Sequence, residues 1–323
     1  MAGKKSFGER VRDFEVGAED AGIIAKKMNL SGGFTGRHFA EAVDVLAEMW
    51  RDTGCYRILS FPAAIISTGL RGVIRQLVRD GRVNMVVTTC GTLDHDIARS
   101  FGNYFKGDFR LDDEELLRKG YHRLGNVVVP RRSYGPLLER KLQPLLTQLY
   151  DEGIRSVGPS ELSWLIGDRL LGEDSILHWA AKRKVPVIVP GITDGAVGSQ
   201  LWLFSQRHRD FKVDPFKDEE LMSEASFSSE RMGALMLGGG ISKHHTIWWA
   251  QFRGGLDYAI YITTAVEYDG SLSGALVREA ISWGKVKAKA RQVTVHGDVT
   301  VLLPFLVSAA LIRLTERGGS SAT

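Results

Sequence analysis

Cysteine is nearly absent: Cys55 and Cys90 are the only two in 323 residues, which excludes a disulfide framework. Long hydrophobic runs are missing as well. The longest, of which Val299 to Ile312 is one, read as too short or too interrupted to span a bilayer. No apolar stretch follows the first lysines, so no signal peptide is expected. There is no internal repeat, long linker or low-complexity block. A net charge of +4 is too small to argue for nucleic acid. These absences together predict a reduced, soluble, cytoplasmic protein with no membrane partner and no specific nucleic-acid partner.

What is present is a hydrophobic content of 44%, enough for a sizeable core. Strand-like runs occur at Tyr56–Phe61, Val83–Thr89, Gly125–Val129, Val185–Val189, Ala234–Leu237, Asp257–Thr263 and Arg291–Val295. Helical stretches fall near Gly135–Glu152, Pro159–Leu171, Asp174–Arg183, Asp218–Glu230 and His244–Arg253. Phe39, Val43, Leu46 and Trp50 form a helical stripe, and so do Leu70, Ile74, Leu77 and Val78. This alternation predicts an α/β fold of Rossmann-like, doubly wound type: a mostly parallel sheet with helices on both faces. A single domain over residues 1–323 is expected, with 1–20 and 316–323 frayed.

Ligands of such folds sit where strands end. Cys90-Gly91-Thr92-Leu93-Asp94-His95-Asp96 follows one strand, and Pro190-Gly191-Ile192-Thr193-Asp194-Gly195 another. Gly238-Gly239-Gly240 and the stretch from Thr264 to Ser271 follow two more. Glycines let a backbone approach a ligand, and free N–H groups suit phosphates, although none of these loops has the G-x-G-x-x-G spacing. Three adjacent residues such as Asp94-His95-Asp96 diverge on a helix, and i, i+1 histidines such as His244-His245 rarely share an ion. No metal site is expected. Lys285, Lys287, Lys289 and Arg291 alternate with Val286, Ala288 and Ala290, the pattern of an extended segment with one basic face, such as a solvated edge strand. A reactive lysine needs burial or nearby positive charge, and Trp283 stands two residues from Lys285.

Glu279-Ala280-Ile281-Ser282-Trp283-Gly284-Lys285 resembles the active-site segment of the deoxyhypusine synthase family. Leu237-Gly238-Gly239-Gly240-Ile241-Ser242-Lys243-His244-His245, Thr193-Asp194-Gly195, Val87-Thr88-Thr89-Cys90-Gly91, Ser67-Thr68-Gly69-Leu70-Arg71 and Asp269-Gly270-Ser271 are similar to further motifs of the same family, in the same order, from about Gly32 to Val307. The resemblance, to an archaeal-type member, implies a homotetramer with active sites at dimer interfaces, NAD as cofactor, and spermidine as donor. Its aminobutyl part would pass through an enzyme-lysine imine to a lysine of the translation initiation factor five-A precursor. Carried over by position, it makes Lys285 the imine-forming lysine and His244 a proton acceptor. Asp94, His95, Ser199, Gly270, Ser271, Glu279 and Trp283 would bind substrate. Ser67, Thr89, Cys90, Gly91, Asp194, Gly239, Thr264, Ala265, Asp298 and Val299 would bind NAD.

The sequence departs from the better-known members at Ala63-Ala64, where they carry Ser-Asn. It departs again at His95, Ser199 and Leu272, where they carry carboxylates. Losing one charged partner of a buried ammonium costs about 2–5 kcal/mol. Either Asp96 or Glu267 takes over, or the donor differs, agmatine being one alternative. A free diamine as acceptor, as in homospermidine synthase, is the other enzymatic alternative, and a non-catalytic NAD- or polyamine-binding protein the non-enzymatic one.

Overall fold

Neighbouring apolar residues of the strands point alternately to two faces. Leu59, Val86, Leu235, Ile260 and Val293 enter one buried core, whereas Ile58, Met85, Ala234, Ala259 and Tyr261 enter another. That period of two, with both faces apolar, is the mark of a sheet covered on each side. In the computed structural model, which describes residues 19–316, six strands satisfy it. They are β1 (Cys55–Ser60), β2 (Met85–Val87), β3 (Val187–Ile188), β4 (Arg231–Leu237), β5 (Leu256–Thr263) and β6 (Val286–His296). They lie in the order β6-β5-β4-β1-β2-β3, every neighbouring pair parallel. The winding direction therefore reverses between β1 and β4, as in the Rossmann type of doubly wound sheet.

Helices α1 (Ala21–Ser31) and α2 (Phe34–Arg51) precede β1, and α3 (Leu70–Arg79) joins it to β2. Five helices separate β2 from β3: α4 (Cys90–Phe101), α5 (Asp113–Arg118), α6 (Gly135–Asp151), α7 (Pro159–Arg169) and α8 (Ile176–Arg183). Next come α9 (Ala196–Arg207) and α10 (Phe216–Ser228), then α11 (Gly240–Ala250) between β4 and β5, and α12 (Val299–Glu316) after β6. Ile247 and Ala250 of α11 and Met222 and Ala225 of α10 fill the second core; most other helices pack into the first.

Three expectations need correction. The strand expected at Gly125–Val129 does not join the parallel sheet. It forms at Val127–Pro130, in a separate antiparallel ribbon with residues 121–124 and 105–106. Gly125, in the left-handed region at φ 61°, and Asn126 turn the chain back on itself in two residues, so the strand pairs with its neighbour. Second, the apolar run from Val299 is one 18-residue helix that length and composition alone would allow to cross a membrane. Leu303, Leu306, Val307, Ala309 and Ala310 of this helix are instead buried in the first core. Third, Glu316 does not fray: it closes α12 and pairs with Lys26 of α1 at 2.5 Å. Asp20 likewise accepts from Ile23 N and caps α1. The rest of the expected frayed ends, 1–18 and 317–323, lies outside the described residues.

Candidate active site

The carboxyl ends of the six strands finish level with one another. Phe61 N donates to Val87 O, Thr88 N to Ile188 O, Gly238 N to Ile262 O and Gly297 N to Thr263 O, each within 3.2 Å. At the reversal between β1 and β4, the two outgoing loops meet: a Cβ on Gly238 would lie 3.4 Å from the Pro62 ring. This crevice gathers the residues expected to hold a dinucleotide. Thr89 Oγ1 accepts from Ala63 N at 3.2 Å, and a Cβ on Gly91 would come within 2.8 Å of Ala63 Cβ. Gly239 packs so tightly on Ser273 that a Cβ would fall 2.2 Å from its Oγ. Asp194, Thr264 and Asp298, which follow β3, β5 and β6, are exposed. Ala265 N bonds Thr263 Oγ1 at 3.1 Å. Ser67 and Thr300, next to Val299, line a cleft of about 540 Å³ that also holds Arg99 and Lys106.

Cys90 reaches this crevice with backbone only. Its thiol is buried, and burial pushes it up to about 12, so it is neither a nucleophile nor a thiolate ligand at neutral pH.

Asp94 and Asp96 face different helices. The Asp94 carboxylate accepts from Val197 N at 2.7 Å, Ala196 N at 2.9 Å and Tyr134 Oη at 2.7 Å, and so caps the amino end of α9. Three of a carboxylate's roughly four acceptor positions are thereby filled. Burial raises its pKa while these donors oppose the rise. Asp96 accepts from Ile176 N, Leu177 N and Ser175 Oγ at the start of α8, and binds Arg71 Nε at 2.6 Å. It is fully buried, so it does not replace a missing substrate carboxylate. His95, between them, points elsewhere. Its Nδ1 is 2.9 Å from Tyr104 Oη and its ring lies 5.5 Å from that of Tyr134. Burial holds it down to about 4, hence neutral.

The expected catalytic pair comes together at the other end of α11. Lys285 immediately precedes β6, where its carbonyl accepts from Leu256 N at 3.1 Å. Its side chain is 8% exposed, and Nζ lies 5.2 Å from the Trp283 ring centroid and 5.4 Å from that of Trp248. Trp248 stacks on His244, centroids 5.7 Å apart and planes at 28°. Partial burial, then the Lys285 charge, hold His244 below the usual imidazole range, as a proton acceptor requires. His245 faces away from it, towards Glu219 on α10 at 3.2 Å.

Trp248 was missed in the sequence, although its spacing of four residues from His244 puts both on one helical face. Lys243 was missed too. Its buried ammonium donates to Leu272 O at 2.8 Å and Ala275 O at 2.6 Å, and sits 3.5 Å from the Tyr261 ring centroid. It ties α11 to the loop that carries Gly270, Ser271 and Glu279, all three exposed. Ser199 is also exposed, its Oγ bonded to Gly195 O at 3.1 Å.

A model of the deoxyhypusine synthase family matches residues 23–310. The chain belongs to the deoxyhypusine synthase family. A relative from Ignicoccus hospitalis named probable deoxyhypusine synthase is 51% identical over 315 residues, covering 95% of this chain and 97% of the relative. One from Picrophilus torridus, with the same name, is 49% identical over 304 residues, covering 94% and 97%. The fold is also that of an Entamoeba histolytica crystal structure provisionally assigned as a deoxyhypusine synthase, with a TM-score of 0.63, 21% identity, and 91% and 94% of the two chains covered. Deoxyhypusine synthases are NAD-dependent transferases, and this chain suits that cofactor. It has the reversed strand order, and Gly238 and Gly240 lie in the left-handed region with φ of 74° and 71°. Open space where a Gly240 side chain would stand leaves room for a bulky ligand at the start of α11.

Proposed function

We propose that the chain moves an aminobutyl group from spermidine to a lysine of the translation initiation factor five-A precursor, with Lys285 as covalent carrier. The placement of Lys285 Nζ between two indole faces, next to His244, carries this reading. Bound NAD would take a hydride from the donor carbon beside nitrogen and return it at the end. Ser67, Thr89, Cys90, Gly91, Asp194, Gly239, Thr264, Ala265, Asp298 and Val299 would hold it. His244 takes the proton released as the donor C–N bond becomes C=N. Lys285 then adds to that carbon, the C–N bond to diaminopropane breaks, and an aminobutyl imine of Lys285 is left. The acceptor lysine adds in turn and expels Lys285 as free amine, and reduction of the new imine gives deoxyhypusine.

Trp283 lines the channel for the alkyl chain, and Glu279, Gly270, Ser271 and Ser199 bind the donor from its rim. Asp94 serves by fixing α9, and His95 by closing the wall with Tyr104 and Tyr134. Trp283 is 66% exposed, and Phe252, which meets Trp248, is exposed too. Such uncovered aromatics support the homotetramer, with a second subunit completing each site. Both cores share one sheet, which supports a single working unit.

The test is mass spectrometry of the purified factor after incubation with this protein, NAD and spermidine or agmatine. The expected product carries one aminobutyl group, formed from spermidine. A guanidine-containing adduct seen only with agmatine would change the donor. Homospermidine formed from putrescine, with the factor unmodified, would overturn the acceptor. Lys285→Arg should abolish labelling trapped by borohydride.

A further inference from the structure

We infer that Trp248 is a positioning residue for Lys285, holding the cation that forms on its nitrogen between two indole faces. This rests on the Lys285 imine reading above. The two rings come from different elements, Trp248 from the third turn of α11 and Trp283 from the turn before β6, yet stand at nearly equal distances from Nζ, 5.4 and 5.2 Å. Among the described residues no carboxylate, hydroxyl or carbonyl bonds that Nζ. The rings are therefore what fixes the end of a long, rotamer-rich side chain. Ring faces attract cations through their quadrupole and leave neutral groups indifferent. They act most where the Lys285 nitrogen carries positive charge, namely as it adds to the donor carbon and in the protonated imine that follows.

Trp248 also neighbours His244, with ring centroids 5.7 Å apart and planes at 28°, but among the described residues no hydrogen bond joins them, so the proton acceptor does not depend on this ring. Phe252 meets its edge at 6.2 Å and restrains it in turn. Trp248 is 44% exposed, and the core-facing side of α11 is formed by Thr246, Ile247 and Ala250 instead. Its place is thus not a folding requirement. In balanced terms, the step affected is addition of Lys285 Nζ to the donor C=N carbon with loss of diaminopropane; the preceding two-electron oxidation, in which Lys285 takes no part, should be spared.

The experiment compares Trp248→Leu, Trp248→Phe and the unaltered protein, each with NAD and labelled spermidine. NADH formation reports oxidation, and borohydride-trapped label on Lys285 reports imine formation. Trp248→Leu should keep NADH formation within about 2-fold and lose about 10-fold in trapping rate, and Trp248→Phe should recover most of the loss. Equal trapping by Trp248→Leu and the unaltered protein would overturn the inference. So would a parallel fall of both readouts that Trp248→Phe does not rescue, because that is general damage to α11. Trapping that fails in the unaltered protein sinks the imine reading itself, and with it this inference.

Discussion

At the proposed cofactor crevice, the residues brought together are glycines and short polar residues that follow the six strands, with the exposed side chains of Asp194 and Asp298 among them. At the lysine end they are rings about one amine: Trp248, eight residues and about 12 Å along α11 from Gly240 at 1.5 Å per residue, with His244 one turn before it and Trp283 from the turn before β6. The first surface is made by topology and is tightly packed at Gly91 and Gly239. The second is made by side chains that stand partly in solvent and have little to do with the core. A substitution at the crevice should therefore damage the scaffold together with cofactor binding, and one at the lysine end should damage chemistry alone.

Gly239→Ala presses hardest on that difference. Its methyl would fall 2.2 Å from Ser273 Oγ and 2.5 Å from Ser273 Cα, so the loop from 264 onwards must move. NAD binding, followed by quenching of protein fluorescence, should weaken by about 10-fold or more, the effect of about 1–3 kcal/mol of overpacking. Lys285 lies off that loop, and borohydride trapping of a preformed aldehyde on it should persist. If NAD binding is unchanged, the crevice is not where the cofactor sits.

Asp94→Asn is the next largest. It replaces a charged acceptor of three hydrogen bonds by an amide that presents N–H to N–H, at a cost of about 2 kcal/mol. Calorimetry should register a fall in Tm of a few degrees, about 2–4 °C, with the KM for spermidine little changed. A large rise in KM at constant Tm would instead assign Asp94 to the donor.

Lys243→Met gives the smallest and most diagnostic effect. Burial holds the Lys243 ammonium down to about 8 against 10.5 for a free lysine. Between those values the unfolded chain binds the extra proton and the folded chain does not, so this residue makes stability rise with pH across that window. Below about pH 8 both states are protonated and the slope vanishes. Denaturant unfolding from pH 7.5 to 10.5 should show the rise in the unaltered protein and a flatter profile in Lys243→Met. Identical profiles would remove Lys243 as the tie between α11 and its neighbouring loop.

The first five strands of the sheet were legible as short, mostly apolar runs, several with glycine or proline beside them. The basic alternation after Lys285 did prove to be the edge strand β6, where Lys287 pairs with Asp257 at 2.6 Å and Arg291 with Glu48 at 3.3 Å. The crevice followed from the strands, since the loops after parallel strands must share one edge. Less visible was α4. Its first residues looked like a strand-end loop because Gly91, Thr92 and Asp94 weaken the helical signal, although Leu93 and Ile97 were spaced for it. The lysine end was legible only through resemblance: nothing in local composition brings Trp248 to Lys285, because the contact depends on how α11 crosses the start of β6.

The two carboxylates of α4 bear on how the amine preference of such an enzyme could be altered. Asp94 and Asp96 hold the amino ends of α9 and α8, so changing either loosens a wall of the molecule before it changes what is recognised. His95 sits between them, is turned by about 100° from each, and holds no helix end. A designer seeking a different donor would leave the outer two untouched and vary the residue in the middle.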